Sequence, residues 1–218
     1  AMMMSMAACS GGSMDDSSNS AGAASGNTIT LGSITTNSGT AAAYGEAELK
    51  GFKLAISEIN AKGGLNGKKI KLESMDDKGD ATEASNAFNK LAGDNSVLAV
   101  LGPTISSTTA AVAPLADQSK LPAIAPAATS DSIATGGYLF RTCFKDSYQG
   151  EIAAKFAAET LKVKKVAVLY GTGDPYSSGV GKAFAAAAKK AGKSGKPDKP
   201  GKPEKSGPDA AQPVQKSR

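Results

Sequence analysis

The stretch Val97-Leu98-Ala99-Val100-Leu101, followed at once by Gly102-Pro103-Thr104-Ile105-Ser106-Ser107, decides the fold. A short, unbroken apolar run bounded by turn residues is typical of a strand that is buried on both faces of a helix-covered parallel sheet. The glycine and proline end the strand, and the hydroxyl residues after them are typical of the start of a helix. The stretch therefore predicts a strand, a tight connection and a helix in succession.

The same alternation extends along the chain in both directions. Strands are predicted at 28–32, 69–73, 97–101, 121–126 and 165–170, and an extended crossing segment at 138–141. Helices are predicted at 44–62, 80–91, 108–119, 148–161 and 180–191, the second of them opened by a capping box at Asp80-Ala81-Thr82-Glu83. Strands that alternate with helices at this spacing predict an α/β fold with a doubly wound, mostly parallel sheet.

Composition excludes several classes of function. The 218 residues include no histidine and no tryptophan, so Ser-His-Asp triads, Cys-His pairs and histidine metal ligands are excluded. Gly171-Thr172-Gly173 lacks the third glycine of a dinucleotide loop, which would stand at Tyr176, and no Walker sequence occurs. We therefore expect neither an enzyme nor a cofactor.

The positive charge is concentrated at one end of the chain. Of the net charge of +5, residues 193–218 carry +4, because seven basic and three acidic residues lie there. The rest of the chain is nearly neutral and offers no basic stripe with aromatic residues for stacking bases. We therefore predict no nucleic-acid partner, and we interpret 193–218 as a disordered tail rich in lysine and proline.

The N-terminal residues resemble a lipoprotein leader. Met6-Ala7-Ala8-Cys9-Ser10 is similar to a bacterial lipobox, in which the cysteine becomes the lipidated N-terminus. Residues 1–9 are then the remnant of a signal peptide, and the Ser/Gly/Ala-rich residues 10–27 form a flexible linker. An incidental cysteine in a flexible end is the alternative. This interpretation predicts an extracytoplasmic protein anchored to the cell membrane by a lipid at Cys9.

Candidate binding loops follow three of the predicted strands. They are 102–109, 126–130 and 171–179, each rich in glycine and hydroxyl residues and each placed before a helix. Ligands of open α/β sheets bind at the carboxyl ends of the strands, where free backbone N–H groups can receive a carboxylate. Ordinary helix caps are the alternative. Asp76-Asp77 is interpreted as a solvated strand end and Cys143 as a small buried hydrophobe.

In combination, several motifs resemble one family, the type I periplasmic substrate-binding proteins of ABC importers, in particular its leucine/isoleucine/valine-binding branch. The matching segments are 51–55, 59–67 (Ile-Asn-Ala-Lys-Gly-Gly-Leu-Asn-Gly), 76–77, 102–107, 126–129, 140–142, 149–150 and 174–179. Coverage runs from about Thr28 to Gly192, and the Asn-Ala-Lys-Gly-Gly-Leu-Asn-Gly block is the most specific match.

The resemblance implies a site for an amino acid between two lobes. Ser106 is then expected to bind the ligand carboxylate, Ala127 its amino group through a carbonyl, and Thr129 both groups. Tyr44 is expected to pack near the ligand from the first lobe and Tyr176 to press on it from the second. The implied partners are ABC permease subunits.

The resemblance further implies two lobes, of which the sequence carries one and part of another. The expected divisions are a ligand-binding lobe at 28–140 and a partial second lobe at 141–192. The family's acidic residue for the ligand ammonium belongs to the part that has no counterpart here. We therefore expect a truncated form with impaired binding. The alternative function is a ligand-sensing domain of a receptor with the same fold.

Overall fold

The computed structural model describes residues 26–133 and 137–191, and its elements follow the predicted alternation. In these ranges the strands are β1 (Thr28–Thr35), β2 (Lys69–Asp76), β3 (Val97–Leu101), β4 (Ala123–Ala125) and β5 (Leu139–Arg141). The helices are α1 (Ala42–Ala61), α2 (Ala81–Ala92), α3 (Ser106–Ser119), α4 (Asp146–Lys155) and α5 (Pro175–Lys190). Cys9 with its lipobox, all but the last two residues of the linker, and the tail at 193–218 lie outside the described residues.

The five strands form one parallel sheet in the order β2-β1-β3-β4-β5. The pairing of β1 with β2 is continuous from Thr28 opposite Lys69 to Thr35 opposite Asp76. Because the chain leaves β1 toward β2 and later returns to place β3 on the other side, right-handed crossovers put α1 on one face and α2 and α3 on the other. The predicted α/β class with a doubly wound, mostly parallel sheet is confirmed.

The main core lies between the sheet and α2 and α3. Helix α2 begins where Asp80 accepts hydrogen bonds from Thr82 N at 2.8 Å and Glu83 N at 3.0 Å, as the capping box predicts. Its residues at spacings of three and four are buried in the core, namely Ala84, Ala87, Phe88 and Leu91. An apolar stripe along about two turns therefore fixes α2 against the strands.

The opposite face of the sheet is covered less completely. Helix α1 contacts β1 and β2, but Gly45 is its single buried residue. Val97 and Val100 of β3 belong to the core, whereas Leu98 is 38% exposed. The prediction that β3 is buried on both faces is therefore wrong for its second face, because α1 lies over β1 and β2 and does not reach over Leu98.

The most specific sequence match has a structural explanation. The Asn60 side chain accepts a hydrogen bond from Ile70 N at 2.7 Å and donates one to Ile70 O at 2.8 Å. These two bonds join the end of α1 to β2. Gly64 then turns the chain at a positive φ of 86°, and a side chain there would collide with the Lys68 carbonyl. Asparagine and glycine at these positions serve the turn between α1 and β2 and do not contribute to a binding site.

Beyond β5, α4 and α5 pack against each other. Helix α5 begins at Pro175, five residues before the predicted start, because Asp174 caps it by accepting from Ser177 N at 2.6 Å. Helix α4 passes into a π-helical turn, Phe156–Thr160, where a longer regular helix was predicted. The predicted strand at 165–170 is wrong: this segment has no regular secondary structure and pairs with no described strand, and Leu169 is 99% exposed.

Candidate functional site

A cleft of about 690 Å³ opens at the carboxyl edge of the sheet. The three loops singled out in the sequence meet there, together with the first turn of α1 and the segment before α4. The cleft is lined by Thr40, Ala41, Tyr44, Thr104, Ile105, Ser106, Pro126, Ala127, Thr129, Cys143, Phe144, Gln149, Asp174 and Tyr176. It therefore lies where ligands bind in sheets of this topology.

The structure brings all five predicted binding residues to this one cleft. Tyr44, Ser106, Ala127, Thr129 and Tyr176 come from four different segments, since Ala127 and Thr129 share the loop after β4, and each lines the same space. Ser106 and Thr129 are buried at its base, whereas the other three are exposed toward its opening. Their placement agrees with the prediction, while their roles toward a ligand stay predictions.

Ser106 is held at the start of α3 by the tight connection after β3. Gly102 has a positive φ of 113°, and a side chain there would collide with the Ile34 carbonyl of the neighbouring strand β1. Gly102 N in turn donates to Ile124 O of β4 at 2.8 Å. The Ser106 hydroxyl accepts a hydrogen bond from Ser130 N at 3.2 Å, so its own proton is free to be donated.

The loop after β4 is held from beneath by Arg141. Its guanidinium donates to the Ser130 carbonyl at 2.9 Å, the Ile133 carbonyl at 3.3 Å and the Ala128 carbonyl at 3.4 Å. The fixed fork of an arginine suits several carbonyls at once. The loop that carries Ala127 and Thr129 is therefore shaped by the neighbouring strand before any ligand arrives.

Aromatic rings surround the opening of the cleft. Tyr44 stands in the first turn of α1 and is 68% exposed, and Tyr176 stands in the first turn of α5 and is 43% exposed. Phe144, between β5 and α4, is also exposed. Three rings around one opening can cover the apolar side chain of a small ligand.

A buried polar network lies behind Thr104. Its hydroxyl donates to Glu48 Oε2 at 2.7 Å and accepts from Thr36 N at 3.1 Å. The Thr36 hydroxyl donates to Asp77 Oδ1 at 2.6 Å. Asp77 lies one residue past the end of β2 and is fully buried. Its interpretation as a solvated residue is therefore wrong.

The pKa values of two carboxylates near the cleft, Glu48 and Asp76, are shifted in opposite directions. Burial raises the pKa of Glu48; the Thr104 hydroxyl opposes that shift, and the charge of Asp77 adds to it. Burial acts the same way on Asp76, but hydrogen bonds from Lys78 N, the Ser38 hydroxyl and Asn37 N outweigh it and lower its pKa. The ionised carboxylate of Asp76 therefore holds the loop after β1 in place.

The lining of the cleft carries little charge. The lining contains no lysine or arginine, and Asp174 is its one charged residue among those the structure describes. A carboxylate bound here must therefore be held by hydroxyls and backbone N–H groups, as at other helix N-termini. In the ranges 26–133 and 137–191, no group of three acidic or cysteine side chains is arranged to hold a metal ion.

Sequence reasoning missed several residues of the site. Cys143 is half-buried in the lining, where its thiol donates to the Ala128 carbonyl at 3.3 Å and burial raises its pKa. Thr104 lies in the candidate loop 102–109 but was not named as a binding residue, and Phe144 and Glu48 carried no motif that could have singled them out. Among the described helices, none is long and apolar enough to cross a lipid bilayer.

Comparison with known proteins gives a consistent result. The model of the periplasmic binding protein family matches residues 28–215. A Leu/Ile/Val-binding protein of Escherichia coli K12 is 34% identical over 155 residues, and BraC3 of Rhizobium johnstonii, named a Leu/Ile/Val-binding protein, is 36% identical over 160 residues. These alignments cover 70% and 72% of this chain but 42% and 43% of the two relatives, so the chain spans less than half of their length.

Solved structures agree in fold. The branched-chain amino acid transporter substrate-binding protein LivJ of Streptococcus pneumoniae, crystallised with isoleucine, is 40% identical with a TM-score of 0.71; the match covers 74% of this chain and 47% of that one. The leucine-binding protein LivK of Thermotoga maritima is 29% identical with a TM-score of 0.71, and the match covers 76% of this chain and 47% of that one.

Proposed function

Because this chain belongs to the periplasmic binding protein family, we propose that it forms the amino-acid-binding cleft of a receptor for an ABC importer. The ligand class is an amino acid of the branched-chain type, by analogy with the Leu/Ile/Val-binding relatives and with the isoleucine complex of LivJ. The observation that carries the proposal is the convergence of Tyr44, Ser106, Ala127, Thr129 and Tyr176 on one cleft.

The geometry of the cleft suits the three parts of such a ligand. The carboxylate is received by the Ser106 hydroxyl and by the free N–H groups at the start of α3. The amino group is received by the Ala127 carbonyl and by Thr129. The apolar side chain lies against the rings of Tyr44 and Tyr176, which are exposed toward the opening.

The setting of the protein is part of the same proposal. The family acts outside the cytoplasm, which suggests an extracytoplasmic location, and its members deliver ligand to ABC permease subunits. Binding without catalysis is proposed because the relatives are binding proteins. A lipid anchor at Cys9 is proposed from the lipobox-like sequence around that residue alone.

A ligand titration of the 218-residue chain tests the proposal. Leucine should shift the backbone amide resonances of the loops at 102–109 and 126–130 saturably, with a dissociation constant in the millimolar range, because the cleft is open on one side. Ser106→Ala should weaken the binding about tenfold, the usual cost of losing a hydrogen bond to a charged group.

A matched control is available in the same helix. Ser119 lies at the far end of α3, where its hydroxyl donates to the Leu115 carbonyl at 2.8 Å, away from the cleft. Ser119→Ala should leave the titration unchanged. The proposal is contradicted if no aliphatic amino acid shifts these loops, or if both variants weaken binding equally.

A further inference from the structure

Two helices that line the cleft, α3 and α5, begin there in opposite ways. Ser106 in the first turn of α3 and Tyr176 in the first turn of α5 line the same space. Helix α3 follows Ile105, whose side chain has no polar group, and its first turn contains no acidic residue. The backbone N–H groups at the start of α3 are therefore left for an anion.

Helix α5 supplies a negative charge of its own at the same cleft. Asp174 Oδ2 accepts a hydrogen bond from Ser177 N at 2.6 Å, and the Asp174 carbonyl accepts one from Ser178 N at 3.0 Å. The Ser177 hydroxyl in turn accepts from Gly171 N at 2.9 Å, which ties the loop to the helix. The carboxylate is therefore fixed in position, and a second anion at this helix start would meet a like charge.

The helix cap uses one oxygen of the Asp174 carboxylate. Asp174 is half-buried and lines the cleft. Within the ranges 26–133 and 137–191, no group of the protein donates a hydrogen bond to Asp174 Oδ1, and none of the ion pairs found there includes this residue. The second oxygen is therefore available to a ligand group that donates a hydrogen bond.

The loop after β4 lies on the same side of the cleft as Asp174. Asp146 N donates to the Thr129 carbonyl of this loop at 3.0 Å. Burial raises the pKa of Asp146, and the charges of Asp131 and Asp174 raise it further. The Thr129 hydroxyl and Arg141 oppose these effects. Asp174 therefore lies within electrostatic reach of the Thr129 side of the cleft.

We propose that Asp174 is a specificity-determining residue of the cleft: its carboxylate binds the ligand ammonium and repels a second negative charge. The ligand carboxylate then lies at the start of α3 and the ammonium at the start of α5, so the two helix starts fix the direction of a zwitterion. The ligand class is an amino acid whose side chain carries no carboxylate, and 2-oxo acids and dicarboxylic amino acids bind weakly. This inference rests on the proposed function.

Three ligands that share one side chain and differ in charge test the proposal. Leucine is a zwitterion, protonated leucine amide is a cation, and the 2-oxo acid analogue of leucine is an anion. Amide shifts of the loops at 102–109, 126–130 and 171–179 give the three dissociation constants. Leucine should bind most tightly, because it alone provides a group for each of the two helix starts.

Asp174→Asn removes the charge and keeps the cap, since asparagine is as favourable as aspartate before a helix. The variant should weaken the binding of leucine and of leucine amide about tenfold, as expected for the loss of one charge pair at a partly exposed site. Binding of the 2-oxo acid should not be weakened. Equal weakening of all three ligands would indicate a merely structural role and overturn the proposal, as would three unchanged dissociation constants.

Asp94→Asn is the matched control. Asp94 also accepts a hydrogen bond from a backbone amide, Ser96 N at 2.8 Å, but it precedes β3 and so lies at the edge of the sheet opposite the cleft. This variant should leave all three dissociation constants unchanged. The same change of ligand preference in both variants would assign the effect to the net charge of the protein and contradict the role of Asp174.

A second measurement needs no specific ligand. Two small nitroxides, one with an ammonium and one with a carboxylate, enhance the relaxation of amide protons in proportion to their local concentration. At low salt the ammonium nitroxide should act several times more strongly on 126–130 and 171–179, and Asp174→Asn should remove most of the difference. Equal enhancement in the native chain overturns the inference irrespective of the leucine titration. If the nitroxides differ as expected but no amino acid shifts the loops, the proposed function alone is contradicted.

Discussion

Glu48 shows how a single residue behind the cleft ties stability to pH. Its pKa is raised above the ordinary value of 4.5, chiefly by burial. The folded protein therefore retains this proton at a pH at which the unfolded chain has already released it. Stability contributed by the proton is present below about pH 4.5 and is lost as the pH rises through the raised value.

We therefore predict that Glu48→Gln flattens the pH dependence of unfolding just above pH 4.5. Glutamine can still accept from the Thr104 hydroxyl, so the network keeps its geometry. The measurement is a series of urea unfolding curves from acid to neutral pH. Glu46→Gln, which neutralises an exposed acid of the same helix paired with Lys50 at 3.7 Å, should keep the wild-type slope; equal flattening in both variants would contradict the prediction.

Sequence reasoning located those residues of the cleft that stand next to a strand end or a helix start. Ser106 and Thr129 follow apolar runs, so their place at the edge of the sheet could be predicted. Asp77 and Asp146 could not be assigned, because their burial depends on helices and loops that meet them from distant parts of the chain. A carboxylate carries no local sign of whether water or protein will surround it.

The packing of α4 against α5 depends on small residues at the contact. At Gly150 a Cβ would lie 2.5 Å from Ala183 Cβ and 2.6 Å from Phe184 N, and the latter atom belongs to the backbone and cannot move aside. The two helices can approach this closely only while Gly150 lacks a side chain.

We predict that Gly150→Ala lowers the free energy of unfolding by about 1–3 kcal/mol through overpacking, despite the better helix propensity of alanine. Gly51 in α1 gives the control, since a Cβ there meets nothing within 4 Å. Gly51→Ala should stabilise by about 0.5–1 kcal/mol. Urea unfolding of both variants is the measurement, and stabilisation by both would show that α4 and α5 are not in close contact.

Helices and strands were predicted correctly where they depend on the sequence of one segment. The prediction failed where a strand depends on a neighbouring strand. The cap at Asp80 and the spacing of Ala84, Phe88 and Leu91 are properties of one segment, and α2 appears where they place it. The run at 165–170 has the composition of a strand, but a strand requires a hydrogen-bonded neighbour, and none of the described strands lies beside it.

Across the molecule, we expect the resistance to local unfolding to differ between regions. Strand β1 pairs in parallel with β2 and with β3, continuously with β2, and the sheet is backed by α2 and α3. The segment at 165–170 has no regular secondary structure, no described strand partner and the almost fully exposed Leu169. Regions with few buried contacts and exposed backbone open most easily.

We predict that hydrogen exchange separates these two parts. The amides of residues 165–170 should exchange near the rate of an unfolded peptide, whereas those at the centres of β1 and β3 should exchange only through global unfolding. Exchange followed by mass spectrometry or by amide resonances gives both rates in one sample. Comparable protection of the two parts would contradict the prediction and indicate that 165–170 pairs with another strand in solution.

The contacts of the Arg141 guanidinium affect the affinity that the cleft can have for a ligand. By fixing the carbonyls of Ala128, Ser130 and Ile133, it removes the rotational freedom of that loop during folding itself. Ordering a segment at the moment of association subtracts its lost entropy from the affinity. If the proposed ligand binds here, the loop is already ordered, so the entropy lost on binding is mostly that of the ligand.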